Sequence, residues 1–125
     1  MNMKKLLLIS FPHNPTTLTV DQVFYDNLVE LAEKYNFLIV NDFAYSDIYF
    51  GGNKPPSLLS SDKSLSHSIE LYSLTKGFSM AGWRVGFAVG NKDAISSVTK
   101  LKSYIDYGTF QPIQIASTVA LNELE

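Results

Sequence analysis

Many hydrophobic residues of the chain fall in short, nearly continuous runs that are separated by polar segments. Four such runs cover residues 6–9, 37–40, 69–74 and 85–89. Continuous apolar runs of this length are typical of strands that are buried on both faces of a sheet, whereas half-exposed strands alternate apolar and polar residues. The pattern therefore predicts a largely parallel sheet that is covered by helices.

Helical patterns lie between and after these strands. Thr19 and Gln22 have the spacing of a capping box at the start of a first helix. Asn91 is a suitable cap for a second helix, and Pro112 suits the first turn of a third. The predicted inner face of the first helix consists of Val20, Val23, Phe24, Leu28, Leu31 and Tyr35.

The connections indicate how the strands run. The first two strands flank a helix and are expected to be parallel, as in a crossover unit. Residues 51–67 are rich in Gly, Pro and Ser and predict a long irregular connection that can hold a short helical turn. Only a short segment separates Lys76 from the fourth strand, and a parallel crossover needs more chain. The third and fourth strands are therefore expected to be antiparallel.

Composition narrows the possible functions. The chain has 125 residues, 46% of them hydrophobic and 18% charged, which fits one domain with a packed core. A net charge of −2 gives no reason to expect nucleic acid or a membrane as a partner. The chain has no cysteine, which excludes thiol catalysis and cysteine-based metal sites, and no metal is expected. The early apolar run is too short for a signal peptide, so a cytoplasmic location is expected.

Polar residues follow the three strands that are predicted to be parallel. Asn14 comes after the first strand, Asp42 and Tyr45 after the second, and Thr75 and Lys76 after the third. The carboxyl ends of parallel strands meet at one edge of a sheet, where ligands bind in open α/β folds. Any one of these residues could simply be a polar group at a solvated strand end. An amide, a carboxylate, a phenol and an amine at one edge favour a binding site.

The chemistry of this set suits one type of cofactor. With Arg84 and nearby hydroxyls, the residues match a molecule that bears a ring nitrogen, an aldehyde and a phosphate. Pyridoxal 5'-phosphate is such a molecule, and its usual partners are a Schiff-base lysine and a carboxylate at the pyridinium nitrogen. The residues therefore favour a pyridoxal-phosphate site.

Four segments resemble the class I/II aminotransferases, which have fold type I among the pyridoxal-phosphate enzymes. They read "FPHNPTT", "NDFAYSDIYF", "SLTKGFSMAGWRVGFAVGN" and "KSYIDYGTFQPIQIA", and the resemblance covers about residues 6–121. It implies an α/β fold, namely part of the mixed, mostly parallel sheet of the large domain, with helices on both faces. The sequences of these segments are similar to those of the aspartate, alanine and diaminopimelate aminotransferases of amino acid biosynthesis.

The resemblance also implies roles for individual residues. Lys76 would form the Schiff base with the cofactor and then move the proton during transfer, and Asp42 would pair with the pyridinium nitrogen. Asn14 and Tyr45 would hydrogen-bond the cofactor's 3'-oxygen. The remaining two positions, Ser73 and Arg84, would hold the phosphate.

Substrates, partners and extent follow from the same resemblance. It implies amino acid and 2-oxo acid substrates and a homodimer in which residues 107–111 contribute to the partner's site. Family members are longer, so residues 1–125 are expected to form only part of the pyridoxal-phosphate-binding large domain, without its N-terminal part and the C-terminal small domain. An exposed sheet edge and self-association are then expected. A catalytically inactive aminotransferase fragment is the alternative.

The sequence also contains two departures from the family pattern and one rival motif. Thr17 stands where the family most often has glycine or another small residue. Gly77 stands where threonine or alanine is commoner and is expected to loosen the turn that carries Lys76. Residues 73–76 also match the S-x-x-K pattern of penicillin-recognising serine enzymes, but the S-D-N and K-T-G elements are absent from the sequence. A serine hydrolase is therefore a remote alternative.

Overall fold

A four-stranded sheet forms the frame of residues 5–123, the part of the chain that the computed structural model describes. Its strands are β1 (Lys5–Ser10), β2 (Phe37–Asp42), β3 (Ser68–Ser73) and β4 (Gly86–Gly90). They lie in the order β1-β2-β3-β4, with the first three parallel and β4 antiparallel to β3. The predicted α/β fold with a mixed, mostly parallel sheet is confirmed, as are the predicted strands and their directions.

Helices occupy the connections that the sequence assigned to them. They are α1 (Gln22–Tyr35), α2 (Leu74–Gly77), α3 (Lys92–Ile105) and α4 (Gln111–Asn122), with single 3-10 turns at Leu58–Ser60 and Ala81–Trp83. Asn91 caps α3 as predicted, since its side chain accepts a hydrogen bond from Ala94 N at 2.9 Å. Pro112 lies in the first turn of α4, also as predicted. No helix among residues 5–123 is both long and apolar enough to cross a membrane.

The start and the buried face of α1 differ from the prediction. Asp21, not Thr19, caps the helix, and its carboxylate accepts a hydrogen bond from Phe24 N at 2.8 Å. The predicted capping box is therefore wrong. The buried residues are Tyr25, Val29 and Ala32, whereas most of the predicted inner face is exposed. The helix has two overlapping apolar stripes. The stripe that packs on the sheet is the one that places the Tyr25 hydroxyl next to a buried hydrogen-bond partner.

The hydrophobic core lies between α1, β2 and the 3-10 turn of the long connection. Its buried members are Tyr25, Val29, Ala32, Ile39 and Leu58. Burial of each large apolar side chain contributes about 1.5–3 kcal/mol to stability. This packing fixes β2 and the connection after it, and the residues that follow β2 at the sheet edge depend on that position.

A buried polar network joins α1 to the two central strands. The fully buried Asn41 donates through Nδ2 to the Tyr25 hydroxyl and to Glu70 Oε1, both at 3.2 Å. Asn41 Oδ1 accepts a hydrogen bond from Phe11 N at 3.3 Å, which ties the chain after β1 to β2. Burial, and then the negative charge of Glu70, raises the pKa of Tyr25, so this phenol stays protonated.

The Glu70 carboxylate anchors the long connection to β3. Glu70 is only 7% exposed and accepts hydrogen bonds at 2.7 Å from Leu58 N and from the Ser57 hydroxyl. A buried carboxylate is tolerated when hydrogen bonds of this kind compensate for its lost hydration. The predicted irregular connection is thus held at one point by a charged group from the sheet.

The expectation that all four strands are buried on both faces is wrong. Leu6 and Leu8 of β1 are 61% and 66% exposed, because no other element within residues 5–123 covers them. Helix α3 likewise has no buried residue, and its apolar residues Val98 and Leu101 are more than half exposed. The continuous apolar pattern of these elements is therefore not explained by contacts within residues 5–123.

Candidate active site

The carboxyl ends of the three parallel strands gather the predicted site residues at one sheet edge. Asp42 and Ser73 are the last residues of β2 and β3, and Tyr45 follows in the turn after β2. Lys76 lies in α2, which begins directly after β3. This arrangement follows from the parallel register, in which Ser10 of β1 pairs with Asp42.

Asn14, Tyr45 and Lys76 come together from three separate segments. Asn14 Nδ2 donates a hydrogen bond to the Tyr45 hydroxyl at 3.0 Å. Lys76 Nζ lies 5.4 Å from the centre of the Tyr45 ring, within the range of a cation–π contact. Asn14 and Lys76 are exposed and Tyr45 is half-buried, so their polar groups are accessible to a ligand.

Asp42 presents an exposed carboxylate at the end of β2. Its Oδ1 accepts a hydrogen bond from Ala44 N at 3.2 Å, which orients the side chain within the turn. Within residues 5–123 no hydrogen bond joins Asp42 to the other predicted site residues. The carboxylate therefore retains acceptor capacity for a group that a ligand would supply.

Ser73 and Arg84 line a common small cavity of about 160 Å³ together with Thr75 and Gly86. The Ser73 hydroxyl caps α2 by accepting a hydrogen bond from Thr75 N at 3.2 Å. Ser73 thus ends β3, in agreement with its predicted place in a strand, and it also starts α2. One guanidinium and two hydroxyls form a donor set that suits a phosphate.

The backbone geometry around this cavity depends on two residues. Arg84 has a φ of 54°, in the left-handed region, and its Nη1 donates to Ala81 O at 3.3 Å. Gly86 leaves no room for a side chain, because a Cβ atom there would lie 2.4 Å from the carbonyl oxygen of Tyr72. The close approach of β4 to β3 keeps Arg84 near Ser73.

A larger cavity of about 610 Å³ opens beside Asn14 and Tyr45. Its walls are mainly proline and aromatic side chains from the segment after β1 and from the connection after β2, including Pro12, Tyr49 and Pro56. This space places an apolar environment next to the hydrogen-bonded pair.

One contact close to the helix that carries Lys76 was not predicted from the sequence. The Tyr72 hydroxyl donates a hydrogen bond to Asp47 Oδ2, and Asp47 lies against Gly77. Burial, and then the bond to the Asp47 carboxylate and its charge, raises the pKa of Tyr72. Nothing in the spacing of the motif marks Asp47 as the partner of Tyr72.

The donor set fits pyridoxal phosphate as far as the residues on this edge allow. The cation and hydroxyls suit the phosphate of that molecule, and the accessible carboxylate suits its ring nitrogen. The hydrogen-bonded amide–phenol pair suits its ring oxygen, and the amine suits its aldehyde. No cluster of three or more metal-binding side chains occurs among residues 5–123. An α/β domain with such an edge belongs to the class of proteins that bind ligands at the carboxyl ends of parallel strands.

Comparison with known proteins specifies the family. Residues 2–124 match the family described as aminotransferase class I and II. The chain belongs to this family, whose members generally depend on pyridoxal phosphate. The resemblance to the class I/II aminotransferases is thereby confirmed. This family match excludes the serine hydrolase alternative.

Individual relatives agree with this assignment. The chain is 44% identical over 117 residues to the glutamate-pyruvate aminotransferase AlaC of Escherichia coli K12, covering 94% of this chain and 28% of that protein. It is also 44% identical over 118 residues to the LL-diaminopimelate aminotransferase of Aquifex aeolicus, covering 94% and 30%. The solved structure of an aminotransferase from Staphylococcus aureus superposes with a TM-score of 0.89 at 41% identity, covering 94% and 31%. The chain thus spans less than a third of the length of these relatives.

Proposed function

We propose that this chain provides the pyridoxal-phosphate-binding part of an aminotransferase that moves an amino group between an amino acid and a 2-oxo acid. Residues 5–123 would then form part of the large domain of that enzyme. The observation that carries the proposal is the meeting of Asn14, Tyr45 and Lys76, which come from three segments that the sheet brings together. Family membership supports it independently.

When bound, pyridoxal phosphate supplies an aldehyde that combines with amines and a ring that accepts an electron pair. Lys76 would offer its Nζ as the amine that holds the cofactor and would afterwards carry a proton at that atom. The Tyr45 ring restricts where Nζ lies, through the 5.4 Å cation–π contact.

The other proposed residues would bind and orient the ring. Asp42 would accept a hydrogen bond from a protonated ring nitrogen and stabilise its positive charge. Asn14 and Tyr45 would donate hydrogen bonds to the ring oxygen. The hydrogen bond between them orients both groups for this role. Ser73 and Arg84 would hold the phosphate in the cavity that they share.

The proposal also covers the substrates and the oligomeric state. The relatives named above support an amino acid and a 2-oxo acid as substrates. A homodimer is also expected, with residues 107–111 reaching the partner's site. Tyr107 and Phe110 in this segment are 96% and 69% exposed, as a contributed segment requires.

Borohydride reduction tests the cofactor site. After incubation with pyridoxal phosphate and reduction, peptide mapping is expected to find the label mainly on Lys76. Asp42→Ala and Arg84→Ala should each weaken the affinity for the cofactor, measured as labelling over a series of cofactor concentrations, by about tenfold, the loss expected for one charged hydrogen bond. Lys92→Ala, which removes an exposed lysine of α3, is the matched control and should leave the labelling unchanged.

Two results would contradict the proposal or limit it. Labelling spread evenly over the lysines would show that no organised site exists. Catalysis is measured separately, as conversion of a 2-oxo acid that requires an amino donor. Selective labelling without such conversion would support the alternative of a cofactor-binding but catalytically inactive chain.

A further inference from the structure

Asp47 belongs to the segment that carries Tyr45 and contacts the segment that carries Lys76. It belongs to the turn after β2, two residues beyond Tyr45. Its carboxylate accepts the hydrogen bond from Tyr72, which stands next to Ser73 on β3. This bond, together with the one that Phe43 N donates to Leu71 O at 2.9 Å, attaches the chain after β2 to the strand that leads directly into α2.

Gly77 brings the Asp47 carboxylate against the helix itself. A Cβ atom at position 77 would lie 2.6 Å from Asp47 Oδ2 and 3.0 Å from Asp47 Cβ, which is closer than non-bonded atoms approach. The absence of a side chain at Gly77 therefore makes room for Asp47 beside the residue that follows Lys76. The expectation that this glycine only loosens the turn overlooked that contact.

Tyr72 is itself held in place. Its ring stacks on Phe87 of β4, with ring centres 4.8 Å apart and an angle of 26° between the planes. Burial and the neighbouring carboxylate raise the pKa of Tyr72, so the hydroxyl keeps its proton and acts as the donor. The donor in this bond is thus fixed by two strands and the acceptor by the turn after β2.

We propose that Asp47 is a positioning residue for Lys76: held by Tyr72, its carboxylate packs against Gly77 and fixes α2 relative to the turn that carries Tyr45. Helix α2 has only four residues and cannot hold its own position by internal hydrogen bonds. Asp47 acts through Gly77 and does not need to touch the cofactor. The part of this inference that concerns Lys76 rests on the proposed function.

Hydrogen exchange of the protein without cofactor tests the contact directly. The amides of Phe78 and Met80 both donate to Leu74 O and report on α2. Tyr72→Phe keeps the stacked ring but removes the donor, and it should accelerate exchange of these amides by about tenfold. Gly77→Ala should do the same by displacing Asp47, whereas Asp47→Asn retains an acceptor and should stay close to the original protein. Tyr35→Phe, at an exposed position of α1, is the matched control.

The pattern of exchange separates positioning from general stability. The proposal requires that exchange in the centre of α1 stays unchanged while exchange in α2 rises. Equal acceleration in both helices would mean that the bond only stabilises the fold, and no acceleration in α2 would mean that it holds nothing. Either result overturns the proposal, whether or not the chain binds pyridoxal phosphate.

Labelling with pyridoxal phosphate and borohydride then tests the link to Lys76. Tyr72→Phe and Gly77→Ala should each lower the share of label on Lys76 several-fold, with Asp47→Asn restoring most of it. If these variants loosen α2 but keep the label on Lys76, the positioning role is wrong. If the unaltered chain shows no preference for Lys76, the proposed function fails, while hydrogen exchange still decides whether Asp47 holds α2.

Discussion

Two residues close to the candidate site adopt a backbone conformation that favours glycine. Thr17, in the segment after Asn14, has a φ of 59°, and Arg84 has a φ of 54°. The left-handed region costs an ordinary residue roughly 1–2 kcal/mol, and a β-branched residue such as threonine is especially strained there. This φ angle gives a physical reason for a glycine at position 17.

Replacing Thr17 by glycine is expected to stabilise the fold. Relief of the strained backbone should exceed the extra chain entropy of glycine and raise the free energy of unfolding by about 0.5–1 kcal/mol. Chemical denaturation measures the change. Thr19→Gly, at an exposed position without a positive φ, is the matched control and should be destabilising. A loss of stability in Thr17→Gly as large as in the control would contradict the strain argument.

At this scale the sequence predicted residue types better than contacts. The six site residues were predicted from motif order, side-chain chemistry and the family resemblance, and the structure brings five of them into two groups at one edge. The contact between Asp47 and Tyr72 was not predictable, since it depends on how closely the turn after β2 approaches β3. No periodicity or spacing in the sequence encodes that distance.

Among the elements, the connection before β3 is organised around one buried carboxylate. Asp62 is 2% exposed and accepts hydrogen bonds from Ser66 N at 3.2 Å, from His67 N at 2.8 Å and from the Ser64 hydroxyl at 2.9 Å. Burial alone would raise the pKa of Asp62, but these hydrogen bonds outweigh it and lower the pKa below its ordinary value.

This lowered pKa predicts an acid-sensitive contribution to stability. The folded chain binds the Asp62 proton less readily than the unfolded chain, so the contribution is full above the unfolded pKa. It disappears as the pH falls through the lower, folded pKa. Asp62→Asn should cost about 1–3 kcal/mol near neutral pH, because an NH2 group replaces Oδ2 and His67 N loses its acceptor, and the difference should shrink at about pH 3. Urea unfolding at both pH values measures it. A cost that does not depend on pH would contradict the role of the ionised carboxylate.

The elements also show where sequence patterns stop being informative. Strands and their directions were predictable, because nearly continuous apolar runs and connection lengths decide them. The inner face of α1 was not, because its apolar residues wrap more than half of the helix. The choice of Tyr25, Val29 and Ala32 was made by tertiary packing and by the hydrogen bond that Asn41 offers to Tyr25.

For the whole molecule, the main consequence of the structure is uncovered apolar surface on an edge strand. Leu6 and Leu8 of β1 stand on the same face and are both more than half exposed. A strand at a sheet edge also presents unpaired backbone groups to other chains. Such surfaces drive association in water.

The chain by itself is therefore expected to self-associate as its concentration rises. Leu8→Lys should weaken the association by placing a charge on the edge strand, with little effect on the fold because Leu8 is 66% exposed. Sedimentation velocity over a concentration series measures the change. Leu18→Lys replaces a leucine that is 61% exposed but lies outside the sheet, and it should leave the association unchanged. Equal effects of the two variants would rule out the edge strand as the contact.

The buried network around Asn41 has a consequence for folding accuracy. Asn41 is the register partner of Ile9 on β1 and of Glu70 on β3. Since successive side chains of a strand point to opposite faces, a shift of β2 by one residue would take Asn41 away from both Tyr25 and the Glu70 carboxylate. Such a misaligned sheet would lose both hydrogen bonds that Asn41 donates and would leave buried polar groups incompletely satisfied. Asn41 and Glu70 thus favour a single register of β2. That register also sets the alignment of Asp42 with Ser10 at the ligand-facing edge, so the geometry of the edge depends on hydrogen bonds in the core.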